Sequence, residues 1–245
     1  MIHLVGLLGY PLSHSFSKKY FTDFFRTHRL PYEYRNFEYQ SVNDFMSYIP
    51  TLNHLVGFNI TLPHKEAIMP FLAVLSDEAQ AIGAVNCVKL LDNNRLKGYN
   101  TDAYGFDKLI EPVLRKMRKA VVLGNGGASK AVCYILEKRK IPFLVVARSP
   151  QNKHLSFDDL QVFDFSEYNT IINTTPVGQY PYDADTLPLP FEKLSTQNIV
   201  VDLIYNPAET VFLKKAKQQG AITLSGETML YEQAKKSWEI WSQND

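Results

Sequence analysis

The segment Ala120-Val121-Val122-Leu123-Gly124-Asn125-Gly126-Gly127-Ala128-Ser129 constrains the fold of this chain more than any other. Its four apolar residues, with no polar alternation, predict a strand covered on both faces, as in parallel sheets. A glycine turn follows, and then a helical pattern from Ala128 to about Lys138. A strand that ends in such a turn and opens a helix is the context of a dinucleotide fingerprint. Gly124 permits the tight turn. Gly126 lets a pyrophosphate approach backbone N–H groups at the helix N-terminus, where the dipole favours an anion. The third small position is Ser129, which still allows the helix to pack closely on the strand.

The next apolar strand, Pro142 to Ala147, ends at Arg148 and Ser149, with Arg148 24 positions after Gly124. An NAD site usually places Asp or Glu about 20 residues past the turn, on the ribose 2′-hydroxyl. A guanidinium and a hydroxyl suit a 2′-phosphate instead, so the predicted cofactor is NADP. Further apolar runs at Thr170–Thr174, Asn198–Leu203 and Ala221–Leu224, with a helical pattern from Thr210 to Gln219, repeat the strand–helix theme. They predict an α/β, doubly wound Rossmann-type domain over residues 102–226.

The remainder, residues 1–101 plus 227–245, predicts a second α/β domain completed by the C-terminal helix. Strands are expected at Ile2–Leu8, Tyr32–Tyr39 and Leu55–Thr61, helices at Ser15–Arg29 and Ser41–Tyr48, and a hairpin turning at Asp92-Asn93-Asn94. Pro63 can open a helix with Ala67, Ile68, Phe71 and Leu72 on its apolar face, and a helix is expected from Ala103 to Met117. A final helix, Gly226 to Trp241, places Met229, Leu230, Ala234, Trp238 and Trp241 on one side. The proline-rich stretch from Pro176 to Pro190 predicts a long irregular connection, a common source of lids and site walls.

Composition narrows the partners. The chain has 245 residues, 45% of them hydrophobic and 21% charged, with a formal net charge of +1. That balance gives no electrostatic reason for nucleic acid or an anionic membrane surface, and no apolar run is long enough to span a bilayer. The first residues read as a strand rather than a signal peptide. The two cysteines, Cys87 and Cys133, are too few for a disulfide framework or a zinc site, so a cytoplasmic protein without a metal is expected.

Polar clusters mark the N-terminal part. Ser15 and Ser17 can donate toward an anion or simply cap the first helix. Asn59 and Thr61 share one strand face. Lys65 falls at the first turn of the predicted helix, where the dipole opposes a cation, a setting suited to proton transfer. Asn86 sits in Ala84-Val85-Asn86-Cys87, and Asp102 ends Gly98-Tyr99-Asn100-Thr101-Asp102 at the predicted domain junction. There it can cap a helix or face a cleft between domains.

Taken together, from Gly9 to Gln233, these clusters resemble the shikimate dehydrogenase family in order and spacing. The resemblance implies a substrate domain, an NADP domain, and reversible oxidation of shikimate to 3-dehydroshikimate by hydride transfer. It implies that Ser15 and Ser17 hold the substrate carboxylate, that Thr61, Asn86 and Gln233 bind ring hydroxyls, and that Tyr205 is a further substrate contact. Lys65 and Asp102 match the catalytic pair, also in contact with substrate. Gly124, Asn125, Gly126, Gly127 and Ala128 match the phosphate turn, Arg148 and Ser149 the 2′-phosphate binders, and Leu203 and Gly226 the nicotinamide end. Asn173-Thr174-Thr175-Pro176-Val177-Gly178 matches a strand-end motif near the cofactor. Two positions depart from the NADP-specific pattern: Ala147 precedes the arginine where Asn is common, and Asn152, beside Lys153, stands where a second arginine is frequent. An NAD-using quinate/shikimate dehydrogenase, a methylenetetrahydrofolate dehydrogenase-like enzyme and a non-catalytic NADP sensor are the alternatives, and a monomer or homodimer is expected.

Overall fold

The computed structural model describes residues 1–12, 16–149 and 154–243. The chain divides into two compact units, Met1–Thr101 with Ala234–Asp245, and Asp102–Gln233.

In the first unit the elements are β1 (His3–Gly9), α1 (Phe16–Thr27), β2 (Tyr32–Glu38), α2 (Val42–Tyr48), β3 (Leu55–Ile60), β4 (Val74–Leu75), α3 (Asp77–Ile82), β5 (Cys87–Leu90) and β6 (Leu96–Tyr99). They form a six-stranded mixed sheet in the order β2-β1-β3-β5-β6-β4. β1 is parallel to β2 and β3, whereas β5 is antiparallel to both β3 and β6. Alternation along β1 feeds two cores. Leu4 and Leu8 join Phe45, Phe58, Ile68 and Ala79 on one face. Val5 and Leu7 join Phe21, Phe25, Ala234 and Trp241 on the other. Trp241 is fastened to the sheet by its indole N–H, which donates to Val88 O at 2.9 Å.

The second unit contains α4 (Thr101–Ile110, from its second residue), β7 (Ala120–Leu123), α5 (Gly127–Lys138), β8 (Phe143–Val146), β9 (Thr170–Asn173), β10 (Ile199–Asp202), α6 (Val211–Gln218) and β11 (Ile222–Ser225). The last helix, α7 (Glu227–Ser242), begins in this unit and ends in the first. The early turns of α7 lie on α4, where a side chain at Gly105 would collide with Met229 O at 2.6 Å. That packing places the chain division at Ala234, inside a helix whose whole length the sequence assigns to the substrate domain.

All five strands of the second sheet are parallel, in the order β11-β10-β9-β7-β8. Beyond β8, Leu155 forms a single parallel bridge with Val146. Its N–H donates to Val145 O, and its carbonyl accepts from Ala147 N, both at 2.9 Å. Counting Leu155 as a third strand reduced to one residue, the order becomes the 3-2-1-4-5-6 of doubly wound dinucleotide folds. The strand order then reverses between β7 and β9.

One predicted helix is overturned and another is shortened. Residues 63–72 form turns and a short 3₁₀ segment, Met69–Phe71, rather than an α-helix. Pro70 lacks an N–H and its ring crowds the carbonyl four residues back, so an α-helix cannot run through it. The chain instead closes i→i−3 bonds such as Phe71 N to Ile68 O at 3.0 Å. Of the four residues expected on an apolar face, Ile68 is buried, but Ala67 and Phe71 are exposed. The helix expected from Ala103 to Met117 stops at Ile110, just before Pro112 restricts the residue ahead of it.

Candidate active site

In the first unit, the loops that carry the predicted substrate residues converge on one sheet edge. β1 and β3 end side by side, with Thr61 N donating to Leu8 O at 2.9 Å. Because β5 is antiparallel to β3, it starts where β3 ends, and Ile60 N donates to Asn86 O at 2.8 Å. The turn after β3 rejoins the same edge through Val85 N, which donates to Lys65 O at 2.8 Å. Thr61, Lys65 and Asn86 are thus carried by adjacent backbone segments at the carboxyl ends of β1 and β3, where open α/β sheets bind ligands. Lys65 and Thr61 are half-buried and Asn86 is buried. With no α-helix at residues 63–72, Lys65 lies in a turn and not at an α-helix terminus.

Ser17 lies in the first turn of α1, the next element after β1 in the sequence, and its hydroxyl bonds the buried Tyr34 hydroxyl. Burial holds the Tyr34 phenol well above its usual range, so it remains a neutral donor. Ser15 lies outside the described residues. The Asn86 carboxamide is oriented by Thr101. Its Oδ1 accepts from Thr101 N at 2.6 Å, and its Nδ2 donates to Thr101 Oγ1 at 3.0 Å. Asp102, the next residue, is buried in the first turn of α4. Gln233 donates from Nε2 to Leu230 O at 2.9 Å. Tyr205 is half-buried after β10, and desolvation raises its phenol pKa.

In the second unit, the glycine turn sits where the strand order reverses. Gly124 has φ +109, and a side chain there would meet Thr174 Oγ1 at 2.7 Å and Thr175 Cγ2 at 2.9 Å. Only glycine takes that conformation against the β9 strand end without strain. Gly126 is the N-cap of α5, and no side chain caps the helix. A Cβ at Gly126 would meet nothing within 4 Å, which leaves room for a group against the first N–H donors of the helix. Ser129 is buried under the helix, as close helix–strand packing requires. This turn fits the pyrophosphate of a dinucleotide.

Arg148 and Ser149 are exposed just past β8, and Arg148 makes no ion pair with any described residue. Asn152 and Lys153 lie outside the described residues. At the ends of β10 and β11, Leu203 and Gly226 are pressed together. A Cβ on Gly226 would stand 2.0 Å from Leu203 O, and Gly226 N donates to Ile204 O at 3.1 Å.

Sequence reasoning missed the hub beneath this edge. Asp202, fully buried at the end of β10, accepts from Asn173 Nδ2 at 3.0 Å, Ile204 N at 3.1 Å and Thr210 Oγ1 at 2.7 Å. Thr210 Oγ1 also accepts from Leu213 N at 3.2 Å, which caps α6. Burial dominates over those hydrogen bonds and pushes the Asp202 carboxyl up to about 6. A lone Asp closing an apolar run was the available signal. Neither Cys87 nor Cys133 forms a disulfide, and burial pushes Cys133 up to about 11.

Residues 7–88 match the family model described as the shikimate dehydrogenase substrate binding domain. The chain is 36% identical over 259 residues to the shikimate dehydrogenase (NADP(+)) of Methanosphaera stadtmanae, covering 98% of this chain and 91% of that one. The chain belongs to the shikimate dehydrogenase family. It is also 38% identical to the shikimate dehydrogenase (NADP(+)) of Clostridium beijerinckii, over 97% of this chain and 91% of the relative. Among solved structures, the shikimate 5-dehydrogenase of Thermus thermophilus in complex with NADP(H) and shikimate superposes with a TM-score of 0.84. Its identity is 30%, with 98% of this chain and 94% of that chain covered. Among the described residues, no helix is long and apolar enough to cross a membrane.

Proposed function

We propose that this chain is an NADP-dependent shikimate dehydrogenase that interconverts shikimate and 3-dehydroshikimate. The carrying observation is the convergence of Thr61, Lys65 and Asn86 on one sheet edge, within a unit whose residues match the family's substrate-binding domain. In this reading Met1–Thr101 with the C-terminal helix binds substrate, and the unit built on β7–β11 binds NADP.

The N–H groups around Gly124, Asn125, Gly126, Gly127 and Ala128 hold the pyrophosphate, because a helix N-terminus without a side-chain cap offers unpaired donors and a favourable dipole. Arg148 and Ser149 hold the 2′-phosphate, and Leu203 and Gly226 border the nicotinamide. When bound, NADP supplies the hydride chemistry.

The remaining work falls to the chain itself. Ser15 and Ser17 donate to the substrate carboxylate, and Ser17 turns its hydroxyl from Tyr34 toward that anion. Thr61, Asn86, Gln233 and Tyr205 fix the ring and its hydroxyls. Lys65 takes the proton of the C3 hydroxyl during oxidation and returns it during reduction. Asp102 accepts a hydrogen bond that orients the reacting hydroxyl. The reading carries with it a cytoplasmic location and a monomer or homodimer.

Initial rates with shikimate and quinate, each paired with NADP+ and NAD+, test the assignment. Shikimate with NADP+ should give the highest kcat/KM. Absence of turnover of shikimate with either coenzyme would overturn it.

A further inference from the structure

Beneath the substrate edge of the first unit runs a buried chain of polar side chains drawn from five elements. The Ser17 hydroxyl bonds the Tyr34 hydroxyl. Tyr34 donates to Asn59 Oδ1 at 3.1 Å. Asn59 Nδ2 then donates to Asn86 O at 3.2 Å and to Ser237 Oγ at 2.8 Å. Ser237 Oγ lies 3.3 Å from Thr101 Oγ1, which in turn accepts from Asn86 Nδ2 at 3.0 Å. Tyr34, Asn59, Asn86, Thr101 and Ser237 are all buried, and Ser237 has no exposed surface at all.

The chain has a direction. Tyr34 spends its hydrogen on Asn59, so Ser17 is the donor in the Ser17–Tyr34 pair. The backbone N–H of Thr101 can only donate, which fixes Asn86 Oδ1 toward it and Nδ2 toward Thr101 Oγ1. The Thr101 hydroxyl hydrogen has two acceptors in reach, Ser237 Oγ at 3.3 Å and Asn86 Oδ1 at 3.2 Å. Ser237 therefore gives this hydrogen a target other than Asn86. It also anchors the amide of Asn59, which props the Asn86 backbone. A hydroxyl on the otherwise apolar inner face of α7 has no packing reason to be there, since alanine would fill nearly the same space.

We infer that Ser237 is a positioning residue for substrate binding: the Thr101 N–H decides which way the Asn86 carboxamide faces, and the Ser237 hydroxyl holds it there by anchoring the Thr101 hydroxyl and Asn59, in the same chain that ties Asn86 to Ser17. This rests on the proposed roles of Ser17 and Asn86 as substrate binders. Networks of this kind specify orientation because every member constrains its neighbours.

Steady-state kinetics of the full chain test it. Ser237→Ala should raise KM for shikimate by about 3- to 10-fold, the cost of one neutral hydrogen bond, with kcat and KM for NADP+ changed less than about 2-fold. Tyr34→Phe, which deletes the donor to Asn59 at constant shape, should shift KM for shikimate in the same direction. In an Asn86→Ala background, adding Ser237→Ala should lower kcat/KM by less than about 2-fold, because its target is gone. A Ser237→Ala protein with a lowered Tm but unchanged KM for shikimate overturns the inference and leaves the proposed function intact. So does an undiminished effect in the Asn86→Ala background. A wild-type chain that does not oxidise shikimate overturns both.

Discussion

Lys65 and Asp102 are single residues whose value depends on where the backbone leaves them. Lys65 sits in a turn whose carbonyl accepts from Val85 N, so its backbone is anchored, and the residue is half-buried. Lys65→Ala should lower kcat by about 10²- to 10⁴-fold, the range of general acid–base help, with KM for shikimate changed only a few-fold. Equal losses in kcat and binding would make Lys65 a binder instead. Arg148 spends its charge on no described carboxylate, which keeps the guanidinium available for a phosphate. Arg148→Ala should raise KM for NADP+ by about 10- to 100-fold, the worth of charge-assisted hydrogen bonds, and leave KM for NAD+ nearly unchanged. Asp202 carries a pH signature. Its folded carboxyl is pushed up to about 6, above the ordinary value of 3.8, so the folded state binds more protons than the unfolded state between those values. Stability contributed by this group is therefore present at low pH and is lost as pH rises through about 6, at up to roughly 1.4 kcal/mol per pH unit inside the window. In urea melts across pH 4 to 7, wild type minus Asp202→Asn should fall as pH rises to about 6 and then level off. A flat difference would remove Asp202 from the account.

At the scale of elements, the second unit was the most legible in the sequence. Apolar runs such as Val121–Leu123 and Val200–Val201 are fully buried, and their shortness, β-branched content and flanking turn signals favour strands covered on both faces. Gly124 was legible for the same reason, since its turn has one physical solution. The segment from Pro63 to Leu72 was not, because its apolar spacing imitates a helix while Pro70 forbids one. Proline outweighs periodicity there, as Pro112 does at the end of α4. The short helix α3, capped by Ser76 Oγ accepting from Ala79 N at 3.2 Å, is too brief to leave a periodic trace. Leu155 as a one-residue third strand has no sequence signature, since one bridge needs no pattern. The Ser237 link was hidden because it is assembled from residues as far apart as 59 and 237. Gly226 was assigned by resemblance, and its structural reason is contact with the Leu203 carbonyl. Gly226→Ala should force the ends of β10 and β11 apart, lower stability by about 1 to 3 kcal/mol and raise KM for NADP+; thermal melts and initial rates report both.

Across the whole molecule, two units with separate cores imply that ligands protect separate stretches of backbone. Amide hydrogen exchange should show NADP+ slowing exchange at Gly124–Ser129 and in the strand ends around Thr174 and Leu203. Shikimate should act chiefly on residues near Thr61, Lys65 and Asn86. At about 100-fold excess over its Kd, NADP+ should stabilise the folded chain by roughly 2.7 kcal/mol, and NAD+ at the same concentration by less. The edge of the parallel sheet has a further consequence. Leu155 meets β8 through a single bridge and its two backbone hydrogen bonds, and Arg148 and Ser149, the proposed 2′-phosphate binders, fall in the connection between Val146 and Leu155. Changing the length of such a connector costs closure entropy that grows only logarithmically. On the proposed reading, descendants of this chain can therefore exchange one nicotinamide currency for another by rewriting the connection that carries Arg148, while the buried strands beside it keep their original sequence.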